Sequence, residues 1–292
     1  MTTKTKDKKI SAIIMTLNAE KYIAKLLDSL MQQTIVPEEI IVSDSESEDE
    51  TVNIAVKYDK VKIVRIKRKK FDHGGSRDLA LRESIGDYVL FFTQDVIIGN
   101  DHYIENILAP FTDSRVAMVC GCQVAKPDAH LYEKYIREFN YPKNLIIRSA
   151  DDISTMGIKT FYMSDVCAAY RKDIYFEIGG FEHNVLTNED MLIASRAIRA
   201  GYKSVYESAA VVFHSHNFSW KQEYKRNYDV AVFMKKHEED FRSITITGEG
   251  FRLVKYVSCK LLKGFHFVQF MRFGCSTMAK YMGNTMGRHI KN

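Results

Sequence analysis

The sequence predicts an α/β fold whose N-terminal half is a parallel sheet wound with helices, and three features carry that expectation. Residues 88–92, Tyr88-Val89-Leu90-Phe91-Phe92, are all apolar and stand between Gly86-Asp87 and the polar triplet Thr93-Gln94-Asp95. A strand with no polar alternation is covered on both faces, as strands of parallel sheets are. Around it, short β-rich runs alternate with helical-period segments in the order strand, helix, strand, helix, strand, helix, strand. That is one half of a doubly wound fold. Two of these strands end in a carboxylate, Asp44 and Asp95, and ligands of open α/β sheets sit at the carboxyl ends of the strands.

The elements follow in order. Residues 10–17 form the first strand. Asn18 is placed to cap a helix in which Tyr22, Ile23, Leu26, Leu27, Leu30 and Met31 recur at helical spacing. After Pro37, residues 39–44 form a second strand, followed by the acidic turn Ser45-Glu46-Ser47-Glu48-Asp49-Glu50-Thr51 and a helix through Tyr58. Acids in a first helical turn suit the helix dipole, so part of that run needs no functional reason. Residues 61–66 alternate as a third strand, and a helix over about 76–84 leads to the strand at Tyr88. The Gly-x-Gly-x-x-Gly fingerprint is missing between the first strand and helix, which argues against a dinucleotide dehydrogenase. Further on, residues 161–171 read as a strand and Ile178-Gly179-Gly180-Phe181 as a glycine turn. Asn188-Glu189-Asp190 opens a helix ending at Gly201, and residues 209–213 form a last strand delivering His214-Ser215-His216.

The motifs together resemble one family. Thr16-Leu17-Asn18, Val42-Ser43-Asp44 with its acidic turn, Phe71-Asp72-His73-Gly74-Gly75-Ser76-Arg77-Asp78 and Thr93-Gln94-Asp95 are similar to the family-two inverting glycosyltransferases. The nearer likeness is to the subgroup that moves L-rhamnose in bacterial capsule, O-antigen and cell-wall polysaccharide assembly. It covers roughly residues 10–220. The resemblance implies a GT-A nucleotide-diphospho-sugar transferase fold, a Rossmann-like mixed sheet flanked by helices. The expected division is a catalytic domain over residues 1–220 (nucleotide-sugar half about 10–98, acceptor half about 99–220), then a basic, aromatic-rich helical appendage over 221–292.

The same resemblance implies the site. Thr16, Leu17, Asn18, Asp44, Arg77 and Gln94 are expected at the nucleotide. Asp95 is the expected ligand for Mg²⁺ or Mn²⁺, hard ions that suit carboxylate oxygens and offset the leaving diphosphate. His214 or His216 supplies another ligand, and strand alternation does not choose between them. Thr93 departs from the Asp-x-Asp pattern of the wider family. Around sugar and acceptor stand His73, Ser164, Asp165, Cys167 and Glu189. Asp190 is the expected general base, because an inverting displacement needs one carboxylate to take the acceptor hydroxyl's proton. Glu189 can exchange roles with it, and N-capping is Asp190's structural alternative.

Composition limits the alternatives. With 292 residues, 46% hydrophobic, the chain buries one large core with room for an appendage. A net charge of +5 does not by itself argue for nucleic acid, and Lys67-Arg68-Lys69-Lys70 lacks the aromatic platform of single-strand binders. The five cysteines form no Cys-x-x-Cys pair, so free thiols in a reducing cytosol are expected and zinc is not. The polar start and the lack of a long apolar run suggest neither a secretory signal nor a spanning helix. From Phe251 onward there is no Asp or Glu, while basic residues flank an aromatic-rich apolar face. That pattern suits an anionic membrane surface, or packing on the catalytic domain or a second subunit. The expectation is a cytoplasmic rhamnosyltransferase, peripheral on the inner face of the cell membrane. Its donor is dTDP-rhamnose and its acceptor a lipid-linked saccharide. The rivals are the same chemistry with a UDP-hexose, and a non-catalytic nucleotide-sugar-binding protein.

Overall fold

The computed structural model describes residues 8–185, 187–241 and 248–289. Nine strands form one mixed sheet: β1 (Ile10–Thr16), β2 (Glu39–Asp44), β3 (Val61–Arg65), β4 (Tyr88–Thr93), β5 (Ile97–Ile98), β6 (Val116–Val124), β7 (Ile146–Arg148), β8 (Cys167–Arg171) and β9 (Lys203–Phe213). Their spatial order is β3-β2-β1-β4-β8-β6-β9-β5, with β7 on β9. The first four strands are mutually parallel, β8 runs antiparallel to both β4 and β6, and β9 is parallel to β6. The parallel half is the one whose strands the sequence makes legible, because helical crossovers cover both of its faces.

Period-two geometry divides each strand between two cores. Ile10, Ala12 and Ile14 of β1, with Leu90 and Phe92 of β4, face the layer of α1 (Ile23–Met31) and α4 (Tyr103–Leu108). Ile13, Val89 and Phe91 face α3 (His73–Arg82), α7 (Lys172–Glu177) and α8 (Glu189–Arg199). In α1, Ile23, Leu26, Leu27 and Leu30 are buried, whereas Tyr22 and Met31 are exposed. Two short helices, α2 (Thr51–Ala55) and α6 (Ile153–Met156), complete the connections.

Several expectations need correction. Asn18 does not cap α1, whose N-cap is Tyr22. Asn18 is left-handed (φ 52°), and its side-chain oxygen accepts from Glu48 N (2.9 Å), closing the acidic turn against the first loop. The helix expected through Tyr58 stops as α2 at Ala55. α3 begins at His73, earlier than expected, because the Asp72 carboxylate caps it by accepting from Gly75 N (2.7 Å). Only Cys167–Arg171 of the run at 161–171 is strand; a 3-10 turn at Gly157–Phe161 and an irregular loop precede it. The last strand is longer than expected, and β6 lies beside it with a register shift after Gly121. A side chain at Gly121 would meet the Ala210 carbonyl at 2.5 Å.

The helices beyond residue 220 pack onto this body. α5 (Leu131–Asn140) presents Tyr132 and Ile136 to Val257 and Leu261 of α10 (Glu249–Lys263) and to Phe273 of α11 (Phe267–Arg288). Phe233 of α9 (Trp220–Lys236) and Phe241 join the second core of the sheet. α11 lies tightly on α9 because Gly283 and Gly287 face its backbone. At Gly287 an added Cβ would come within 2.5 Å of the Tyr228 carbonyl.

Candidate active site

Two adjoining cavities open at the carboxyl ends of β1 and β4. The smaller, about 270 Å³, is lined by Thr16, Leu17, Ser45, Arg68, Phe71 and Gln94, among others. The larger cleft, about 510 Å³, brings together Asp95, Ser164, Asp165, Glu189, Asp190, His214 and His216. His73, Arg77 and Thr93 line both. The hydroxyl of Thr93 is buried at this junction without a hydrogen-bond partner among the described residues.

The smaller cavity is framed by loop-to-loop hydrogen bonds. The carboxylate of buried Asp44 accepts from Thr16 Oγ1 (3.0 Å), Ser47 Oγ (2.5 Å) and Ser47 N (2.9 Å). Asp44 therefore holds the two loops together from behind the cavity wall, while Thr16 and Ser45 face the opening. Gln94 clasps Leu17: its Oε1 accepts from Leu17 N (2.7 Å) and its Nε2 donates to Leu17 O (3.2 Å). The basic run meets the acidic turn, with Arg68 donating to the Glu46 carbonyl (2.8 Å) and pairing with Glu48 (3.1 Å). Much of the charge in these two segments is thus mutual.

The floor of the cleft is a cluster of three carboxylates around one guanidinium. Arg77 is buried and pairs with Glu189 (2.9 Å) and Asp165 (3.4 Å); it also donates to the His73 carbonyl (3.1 Å). Residue 77 thus serves the carboxylates rather than extending freely toward a phosphate. Asp165 also accepts from Tyr170 Oη (2.6 Å). Burial, resisted by Arg77 and reinforced by the charge of Glu189, pushes the Asp165 carboxyl up to about 7. Burial and then the charges of Glu189 and Asp165 push Asp190 well above the carboxylate range. Asp190 is half-buried and has no guanidinium partner among the ion pairs of the described residues; it accepts from Met191 N (2.8 Å) and distantly from Asp165 N (3.4 Å). It is the member of the cluster most open to the cleft. Asn188 occupies the N-cap position of α8, without a side-chain cap hydrogen bond, and Asp190 lies in the first turn rather than at the cap.

At the other side of the cleft, Asp95, His214 and His216 each offer a ligand atom within 4.8 Å of the others. Their hydrogen bonds show that the donors suit a cation. Arg137 donates to Gln123 Oε1 (2.6 Å), which fixes the orientation of that amide, since a guanidinium only donates. The same oxygen faces His214 Nδ1 at 3.1 Å, so Nδ1 carries the hydrogen. Burial lowers the pKa of His214 despite Asp95, and burial with the neighbouring His214 lowers His216 to about 4. Nε2 of neutral His214 then presents a lone pair toward Asp95 Oδ1, 3.5 Å away. Two facing acceptors with an outer amide holding the imidazole make a metal-ready arrangement. Burial works against charge on Asp95, but the Lys126 ammonium (2.8 Å) holds its carboxyl below the usual range.

The structure also corrects and extends the residue set. Cys167 is buried in the first core and pairs with Phe92 across β4 and β8, lining neither cavity; burial pushes its thiol up. Asn18 borders a separate shallow depression with Glu20, Lys21 and Asp49. Lys126, Gln123 and Arg137 belong to no motif of the sequence, and neither do Glu223, Arg226 and Lys280, by which α9 and α11 wall the cleft.

Comparison with known proteins decides the family. Residues 11–179, more than half of the chain, match the profile of glycosyl transferase family 2. The chain belongs to this family. It is a glycosyltransferase, and it groups with members named as rhamnosyltransferases. It is 40% identical over 285 residues to the O-antigen chain rhamnosyltransferase RfbN of Salmonella typhimurium, covering 96% of this chain and 90% of that protein. With the O-antigen chain rhamnosyltransferase WbaN of Salmonella anatum it shares 40% identity over 265 residues, covering 89% and 83%. The fold matches the mannosyltransferase PcManGT of Pyrobaculum calidifontis, solved with GDP-Man and Mn²⁺, at TM-score 0.67 and 14% identity, over 98% of this chain and 88% of that one. It also matches Staphylococcus aureus TarS 1–349 in complex with UDP-GlcNAc at TM-score 0.57 and 17% identity, over 97% and 93%. These neighbours identify the GT-A fold.

Proposed function

We propose that this glycosyltransferase moves L-rhamnose from dTDP-β-L-rhamnose to a lipid-linked saccharide, with inversion, in O-antigen or related polysaccharide assembly. The observation that carries the reaction type is Asp190: a cleft-facing carboxylate of raised basicity, in the same cavity as the Asp95–His214–His216 trio. The relatives of like length at 40% identity support rhamnose as the sugar. The acceptor oxygen forms a bond to the anomeric carbon as the bond to the diphosphate breaks. Asp190 takes the acceptor's proton, and the bonding pair leaves with dTDP. No covalent intermediate on the protein is needed.

Asp95, His214 and His216 would hold the divalent cation, which supplies counter-charge to the departing diphosphate. One carboxylate oxygen with two imidazole nitrogens favours Mn²⁺ over Mg²⁺, which prefers an all-oxygen shell. Thr16, Leu17, Ser45 and Phe71 would line the nucleoside pocket, with Asp44 shaping it from behind. A donor panel tests the reading. Turnover with dTDP-rhamnose, and none with UDP-glucose or UDP-GlcNAc, is expected; the reverse pattern rejects it.

The C-terminal face supports a peripheral membrane position on the cytoplasmic side. No helix among the described residues is long and apolar enough to cross a membrane. Phe251 (86% exposed), Phe265 (78%), Phe267, Val268 and Met271 lie open beside exposed Lys255, Lys263 and Arg272. Such a face binds anionic lipid by apolar insertion plus charge. Co-sedimentation with phosphatidylglycerol vesicles should fall sharply for a Phe265→Asp, Val268→Asp variant. Unchanged sedimentation with a concentration-dependent dimer mass would assign the face to a second copy instead.

A further inference from the structure

The residue next to the metal trio that no motif accounts for is Lys126. Its backbone N donates to Ser215 Oγ (2.9 Å), and His214 N donates to Val124 O (2.8 Å). The strand end of β6 is thereby fastened to the His214-Ser215-His216 segment, and the Lys126 side chain runs from that anchor to Asp95. Its ammonium lies 2.8 Å from Asp95 Oδ2, largely buried, on a carboxylate that is itself largely buried. Oδ2 is also the oxygen that faces His216 Nδ1, at 3.9 Å. The second neighbour of the ammonium is the ring of Tyr22, 5.8 Å from its centroid; Tyr22 is exposed.

We propose that Lys126 is an exchangeable counter-ion that couples metal entry to donor binding. The inference rests on reading Asp95, His214 and His216 as the metal ligands. A divalent cation bound to Asp95 would face a full positive charge at hydrogen-bond range of the same carboxylate, in a site screened little by water. Lys126 and the metal therefore compete for the charge of Asp95, whichever of its oxygens the metal takes. When the ammonium leaves Asp95, two partners can receive it: the face of exposed Tyr22, or an anion bound in the cleft. A nucleoside diphosphate supplies that anion. With its phosphates present, both cations find partners, and metal and nucleotide bind each better in the presence of the other. Lys126 thus disfavours a metal-loaded, donor-free state, and by linkage it makes the two ligands cooperative. The flexible, compact ammonium suits this exchange, and a permanent bidentate partner for Asp95 would instead call for arginine.

The test uses the full-length protein with Mn²⁺ alone as the probe, free Mn²⁺ being read by electron paramagnetic resonance, with and without dTDP. Wild-type protein should bind Mn²⁺ at least about tenfold more tightly when dTDP is present. Lys126→Met should bind Mn²⁺ alone about tenfold more tightly than wild type, and dTDP should then add less. Lys126→Arg, which restores the positive charge, should bring donor-free affinity back toward wild type; thermal melts confirm that each variant is folded. The proposal is overturned if Lys126→Met binds donor-free Mn²⁺ no better than wild type, or if neither protein binds Mn²⁺. If dTDP has no effect but UDP or GDP does, the donor assignment fails, while the Mn²⁺-alone comparison still judges Lys126.

Discussion

Replacing Arg77 by methionine probes the carboxylate cluster most severely, because it removes the guanidinium on which Asp165 and Glu189 converge beside Asp190. At an effective dielectric of about 20, unit charges at the 2.9 Å separation of Arg77 and Glu189 attract by roughly 6 kcal/mol before desolvation is counted. Desolvation offsets much of that, and removing one partner of a buried pair costs about 3–5 kcal/mol. Protonation caps the penalty: at pH 7.5, neutralising a carboxylate of ordinary pKa costs about 4–5 kcal/mol, and at pH 5 only about 1 kcal/mol. The orphaned carboxylates have folded pKa values above their unfolded ones. Their penalty is therefore absent below about pH 4, grows as pH rises from there toward the folded values, and levels off above them. Urea unfolding of Arg77→Met should show a loss of about 4 kcal/mol at pH 7.5 that shrinks to about 1 at pH 5. A loss below about 0.5 kcal/mol, the range of a surface arginine, or one equal at both pH values, would refute the cluster as described.

Two further outcomes follow from the same geometry. With Asp190 as base and its pKa raised by burial, Glu189 and Asp165, kcat/KM should rise along an acid limb lying above the usual carboxylate range. Asp165→Asn removes one of those charges and should move that limb toward lower pH; a limb that stays put argues against their coupling. Cys167→Ala should lower stability by about 1–2 kcal/mol through lost packing while leaving both KM values unchanged. A raised acceptor KM would return Cys167 to the sugar.

The parallel half of the fold was legible because its strands are covered on both faces: Ile13, Val42 and Phe91 leave no polar register to misread. Asp95 could be singled out because it follows the carboxyl end of β4, where open sheets bind ligands, and Asp190 because the Glu189-Asp190 pair resembles that of the family. Cys167 misled for a physical reason. The family resemblance places the whole segment from Ser164 to Cys167 under the sugar, but Ser164 and Asp165 precede β8 and line the cleft, whereas Cys167 opens β8 and is buried in the core. Arg77, expected at the nucleotide, is turned instead to Asp165 and Glu189, which no local pattern in the sequence links to it. Lys126 has no local signature at all, since its meaning comes from β6 lying against β9, a pairing with a register shift that no periodicity encodes.

The most direct test is the rate of rhamnosyl transfer from dTDP-rhamnose by the Asp190→Asn enzyme, with dTDP binding measured alongside as a control for the intact pocket. A fall of about 10²–10⁴ in kcat with dTDP affinity unchanged is predicted, because the amide keeps the shape of the side chain but cannot accept the proton. Transfer at near wild-type rate would contradict the account.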